Sequence, residues 1–138
     1  MSTLLSFRRV AIVVMMVLWG TLALAQDLNA KWLAGTWRGT TPSPAGAGQL
    51  DKREIVFRED GTYTGEIQSV RGGLLKIAGA YKVAGDTLNV DGSYTEGPAG
   101  IQGTKFTYTL KRVGEDLEGT GYSHGSVRTF PVSLKRAK

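Results

Sequence analysis

Ser123 and His124 stand side by side late in the chain, and His124 is its only histidine. A hydroxyl and an imidazole are the parts of a nucleophile and its base, but neighbouring residues of a strand point to opposite faces and cannot share a proton. The acidic pairs Glu59-Asp60 and Glu115-Asp116 could supply two carboxylates. Each lies at a glycine turn, where short acidic side chains satisfy backbone donors instead. Asp86, Asn89 and Asp91 lack the spacing and the closing glutamate of a calcium loop. With one histidine and no cysteine, no zinc set can be assembled. Gly97, Gly100 and Gly103 follow no strand-to-helix transition of the kind that cradles phosphate. The chain therefore reads as a non-enzyme with no catalytic residue, metal site or cofactor.

What remains is apolar and aromatic: Tyr63, Ile67, Ile77, Tyr81, Leu88, Val90, Tyr94, Phe106, Tyr108, Leu110 and Phe130. Tyrosine brings a broad apolar face and one hydroxyl, the combination that orients a small ligand in an otherwise greasy pocket. The expected ligand-binding residues are Tyr63, Tyr81, Tyr94, Tyr108 and Phe106. The competing reading is a core filled by those same side chains, because an eight-stranded barrel is just wide enough for them. Gly65, Gly79 and Gly92, in phase with large neighbours, would either bend strands or leave the space a ligand needs.

The elements that carry these residues alternate with a period of two, punctuated by glycine beside aspartate or glutamate. Ile55 and Phe57 alternate with charged neighbours before Asp60-Gly61 turns the chain. Tyr63, Gly65 and Ile67 share the next face. Leu75, Ile77, Gly79, Tyr81 and Val83 follow, then Leu88, Val90 and Tyr94 after Gly85-Asp86. Phe106, Tyr108 and Leu110 come next, Gly114 to Asp116 turn into LEGTGYS, and Phe130, Val132 and Leu134 align in the last run. With an opening strand around Thr36 to Thr41, the count is about eight. Even spacing and close connections predict an all-β, up-and-down antiparallel barrel. Pro131, inside the last strand, calls for an edge or a bulge.

Connections after strands one, three, five and seven are the longer set: Pro42 to Gly48, Arg71 to Gly73, Glu96 to Gly103, and Ser123 to Ser126. Those after two, four and six are tight. One end should be a pinned floor, and the other a mouth where a ligand enters.

Ahead of the barrel, Arg8-Arg9 and an uncharged apolar run from Val10 to Ala25 end in Ala23-Leu24-Ala25. That is the layout of a signal peptide over residues 1–25, cut before Gln26, which leaves residues 26–138 as a single exported domain with no membrane span. A retained anchor is the alternative. Without cysteine the domain has neither a lipid attachment site nor disulfides. Losing Arg8 and Arg9 lowers the formal charge from +5, and Lys135, Arg136 and Lys138 crowd the C-terminus. The other charges are scattered singly, as on a solvated outer face, so nucleic acid is not an expected partner.

The segment DLNAKWLAGTWRGT resembles the opening of the calycin-type barrels, which include lipocalins, fatty-acid-binding proteins and avidins. The resemblance rests on a short helical turn leading into Gly35-Thr36-Trp37, the lipocalin G-x-W motif. It implies that Trp37 closes the barrel floor, packed by an arginine from the end of the last strand, Arg128 or Arg136. The second lipocalin motif, T-D-Y, is absent, and the chain is shorter than typical members. LAGTWRG is also similar to the start of nitrobindin-type haem barrels, which would make His124 the iron ligand. The expectation is an exported, lipocalin-like, non-catalytic binder of a small hydrophobic or aromatic ligand in the periplasm or outside the cell. A solid-cored structural or interaction module of the envelope, its protein partner unknown, is the alternative, and a haem barrel ranks below it.

Overall fold

The computed structural model describes residues 28–43, 48–70, 73–125 and 127–138. The expected signal peptide and its cleavage point lie outside the described residues. Among those described, no helix is long and apolar enough to cross a membrane.

Eight antiparallel strands close into one barrel in sequence order. They are β1 (Gly35–Pro42), β2 (Leu50–Phe57), β3 (Thr62–Ser69), β4 (Gly73–Ala84), β5 (Thr87–Glu96), β6 (Lys105–Val113), β7 (Asp116–Ser123) and β8 (Arg128–Arg136), preceded by the single-turn α1 (Ala30–Leu33). The period-two pattern decides the faces. Trp37, Ile55, Phe57, Tyr63, Ile67, Ile77, Leu88, Val90, Phe106, Tyr108, Leu110, Leu117, Val132 and Leu134 are all buried in one core. Glycine at the even-numbered turns allows their tightness: Gly85 and Gly114 both sit at φ 63°, a left-handed conformation that any side chain would strain.

Gly65, Gly79 and Gly92 do not leave room for a ligand. A Cβ on Gly92 would lie 2.0 Å from the Tyr63 hydroxyl, and one on Gly79 would lie 2.1 Å from the Asp91 carbonyl. The first space is filled by a tyrosine, and the second marks a close approach of two strands.

The barrel is not closed evenly. β1 pairs with β8 only from Trp37 to Thr40, against Arg136 to Ser133, whereas β7 pairs with β8 from Leu117 to Ser123. Thr41 and Pro42 therefore partner β2 alone, and residues 128–132 partner β7 alone. Pro131 falls in this stretch, which has the character of an edge inside a closed barrel and tolerates a missing N–H there.

Candidate ligand site

The floor is built from the N-terminal segment. The Asn29 side chain caps α1 by accepting from the Trp32 N–H at 2.8 Å. The Leu28 N–H donates to the Gly85 carbonyl in the β4–β5 turn at 3.1 Å. Trp37 is fully buried and donates from Nε1 to the Leu33 carbonyl at 2.8 Å. Its ring lies 5.3 Å from that of Trp32.

Arg136, not Arg128, is the arginine packed there. Its guanidinium carbon is 4.5 Å from the Trp37 ring centre and 5.2 Å from that of Trp32, and it donates to the Ala34 and Trp32 carbonyls. Arg112 covers Trp32 at 3.9 Å while donating to the Gly114 carbonyl, so the β6–β7 turn is tied to the same plug.

Above the floor, aromatic rings fill the barrel. Phe57 packs against Tyr63 and Tyr81, at 5.8 and 5.5 Å between ring centres. On the other side runs a file of Tyr94, Phe106, Tyr108 and Phe130, spaced 5.5, 5.0 and 6.2 Å. Three of the five expected ligand-binding residues, Tyr94, Phe106 and Tyr108, are thus brought together. Tyr63 and Tyr81 are not among them. They lie toward the β2–β3 turn, where their hydroxyls are taken by the Asp91 and Arg58 carbonyls. Burial raises the pKa of both, keeping each a neutral hydrogen-bond donor.

The mouth holds a cavity of about 580 Å³, open at the end of the odd-numbered loops. Leu75, Tyr94, Ile101 and Phe130 supply its apolar wall, and Asp51, Arg53 and Arg128 its charges. Of the five expected ligand-binding residues, Tyr94 alone reaches this wall. A register shift near Lys76 and Ile77 sets Tyr94 opposite Ile77. The β5–β6 loop then folds back over it: the Tyr94 N–H donates to the Thr104 carbonyl at 3.0 Å, and the Gly103 N–H to the Tyr94 carbonyl at 2.9 Å. Pro98, Ala99, Gly100 and Ile101 from that loop complete the rim.

Two charged side chains on β2 correct the reading of scattered charges as an outer face. Asp51 and Arg53 point inward and are 6% and 7% exposed. Arg53 donates from Nε to Thr41 Oγ1 at 2.9 Å and from Nη1 to the Tyr108 hydroxyl. Its guanidinium carbon lies 5.5 and 5.3 Å from the ring centres of Tyr108 and Phe130. Burial pushes the Tyr108 pKa up to about 12 despite the opposing pull of Arg53. Asp51 accepts the Val70 N–H at 3.0 Å, fastening the strand to the next loop. The signal was present in LDKREIVF: the alternation that puts Ile55 and Phe57 inside, carried back two and four residues, lands on Arg53 and Asp51.

His124 is exposed in the β7–β8 turn, its ring edge-on to Tyr122 at 5.0 Å. It does not line the mouth cavity. The residues present therefore do not fit a haem held through this histidine inside the barrel. Among the described residues, no three His, Cys, Asp or Glu gather into a metal site.

A solved structure of a redesigned β barrel is similar to this chain, with 22% identity and a TM-score of 0.60 over 79% of this chain and 95% of that one. At that identity the likeness is one of fold. No protein-family model matches the sequence. No curated protein matches it either.

Proposed function

We propose that this protein is an exported, lipocalin-like barrel that binds a small hydrophobic or aromatic ligand in its mouth cavity and carries out no chemistry on it. The observation that carries this reading is the cavity itself: about 580 Å³, within the range of small-molecule sites, lined by Leu75, Tyr94, Ile101 and Phe130. The lipocalin-like part draws on the floor, where Trp37 and Arg136 stack as the resemblance implies. Export to the periplasm or beyond draws on the leader-like sequence of residues 1–25.

A fluorescent hydrophobic dye titrated into the purified protein tests it. Saturable binding is expected, and native mass spectrometry of protein from its own host should show a co-purified small molecule. Ala99→Trp, an exposed loop change on the rim, should block the dye and leave the melting temperature unchanged. The absence of both saturable dye binding and a co-purified ligand would sink the proposal.

A further inference from the structure

Arg53 is 7% exposed, a cation largely withdrawn from water, and such a charge is costly unless something of opposite sign or several acceptors meets it. Two of its five N–H groups are engaged, by Thr41 and Tyr108. Among the described residues no carboxylate oxygen lies within ion-pair distance of it, whereas four other basic side chains have such a partner. Asp51, two residues earlier on the same face, is the obvious counter-charge, yet one of its oxygens is committed to the Val70 N–H. Across the mouth, Arg128 on β8 adds a second guanidinium. Among the described residues, the charged groups on the cavity wall are thus Arg53, Arg128 and Asp51, one negative charge short of balance.

The placement of Arg53 suits it to a ligand head. Its guanidinium lies on the faces of Tyr108 and Phe130, which fix the plane of the group. Nη2 and the second hydrogen of Nη1 remain for an incoming acceptor, and a planar fork of that kind matches a carboxylate. Beside it, Leu75, Tyr94, Ile101 and Phe130 offer the apolar contact that a chain or ring would use.

We infer that the mouth cavity takes an amphipathic organic anion, a monocarboxylate with an apolar body, whose head pairs with Arg53 and whose tail lies against Tyr94, Phe130, Leu75 and Ile101. This rests on the reading of the cavity as a ligand site. Arg128 adds attraction at the opening, and Asp51 disfavours a dianionic head.

The test compares decanoate, 1-decanol and decylammonium by displacement of a neutral hydrophobic dye from the full-length mature protein at neutral pH. Decanoate should bind ten- to a hundredfold more tightly than decanol, the range expected of a charge-assisted hydrogen-bonded pair, and decylammonium most weakly. Arg53→Gln should erase the preference for decanoate while decanol still binds, and Arg53→Lys should restore part of it. Should Arg53→Gln not fold, the ligand series on the unaltered protein decides, together with decanoate binding that weakens as the solution is acidified through the ligand's own pKa. Equal affinity for decanoate and decanol would overturn the inference and leave the ligand-site reading standing. Displacement by none of the three, with no dye binding, would remove both. A preference that survives Arg53→Gln would show that Arg53 is not the anchor.

Discussion

Gly92→Ala measures how far the solid part of the barrel extends. The added Cβ would stand 2.0 Å from the Tyr63 hydroxyl and 2.6 Å from the Ala78 carbonyl, both far inside contact distance. Tyr63 is 1% exposed and its hydroxyl donates to the Asp91 carbonyl at 3.1 Å, so it cannot swing away without breaking that bond. Overpacking of this kind costs about 1–3 kcal/mol. Tyr63→Phe alone should cost about 1 kcal/mol for the lost hydrogen bond. In the double variant the closest clash is gone, leaving the Ala78 carbonyl at 2.6 Å and the ring carbon at 3.1 Å, so the two effects should fall short of additivity by about 1 kcal/mol. Urea unfolding followed by tryptophan fluorescence reads all four proteins, since Trp32 and Trp37 sit in the floor. If Gly92→Ala costs as much in the Tyr63→Phe background as alone, the hydroxyl does not occupy that space, and the account of a filled lower barrel is wrong.

Arg136→Gln should destabilise the protein by about 2 kcal/mol, through loss of stacking on Trp32 and Trp37 and of the hydrogen bonds to Ala34 and Trp32. Arg136→Lys should recover less than half, because an ammonium cannot stack as a plane; full recovery in thermal melts would refute the role given to the guanidinium. The buried tyrosines predict alkaline weakening. Tyr108 titrates near 12 when folded against about 10 when unfolded, so between those values the unfolded chain has released a proton that the native state keeps. Stability is whole below pH 10 and falls as pH rises toward 12, with Tyr63 contributing in the same direction. Denaturant melts at stepped pH should show the fall, and Tyr108→Phe should flatten it; an unchanged slope would count against burial as the cause.

The fold was legible because alternation and turn glycines act locally. Each of Asp60-Gly61, Gly85-Asp86 and Gly114-Glu115 names its own hairpin, and one-sided strands in close succession leave few closures other than a meander. The site was less legible, since its composition depends on how high along each strand a side chain sits. Tyr63 and Tyr94 have the same phase and chemistry. They differ only in lying toward opposite ends of the barrel, which the register of β2 on β3 and the shift near Ile77 determine. Arg53 was hidden by expectation more than by lack of signal: a charged residue in an inward phase reads as an outer-face residue until its neighbours are fixed. The uneven β1–β8 seam has no local sequence mark apart from Pro131.

That seam links the two ends of the molecule. Near the floor, β1 and β8 are joined from Trp37 to Thr40, and the Arg136 stack lies beside this pairing. Toward the mouth the pairing stops, and Thr41 and Pro42 on one side face a stretch of β8 carrying Arg128 and Phe130 on the other. A barrel of eight strands has an interior that side chains can fill or that can hold one small ligand. Here the ladder ends early, and three residues flanking the gap, Pro42, Arg128 and Phe130, are on the cavity wall. The shortened pairing thus coincides with the cavity at the mouth end, while in the middle the glycines are already matched by Tyr63 and by neighbouring strands. It also explains why a buried arginine is tolerable at this height: Thr41, beyond the last β1–β8 pair, accepts from Nε, while the open seam lets water or a ligand head reach the remaining N–H groups. Floor and mouth therefore make opposite demands on the same two strands, and the point at which β1 leaves β8 is where the packed plug gives way to the mouth cavity.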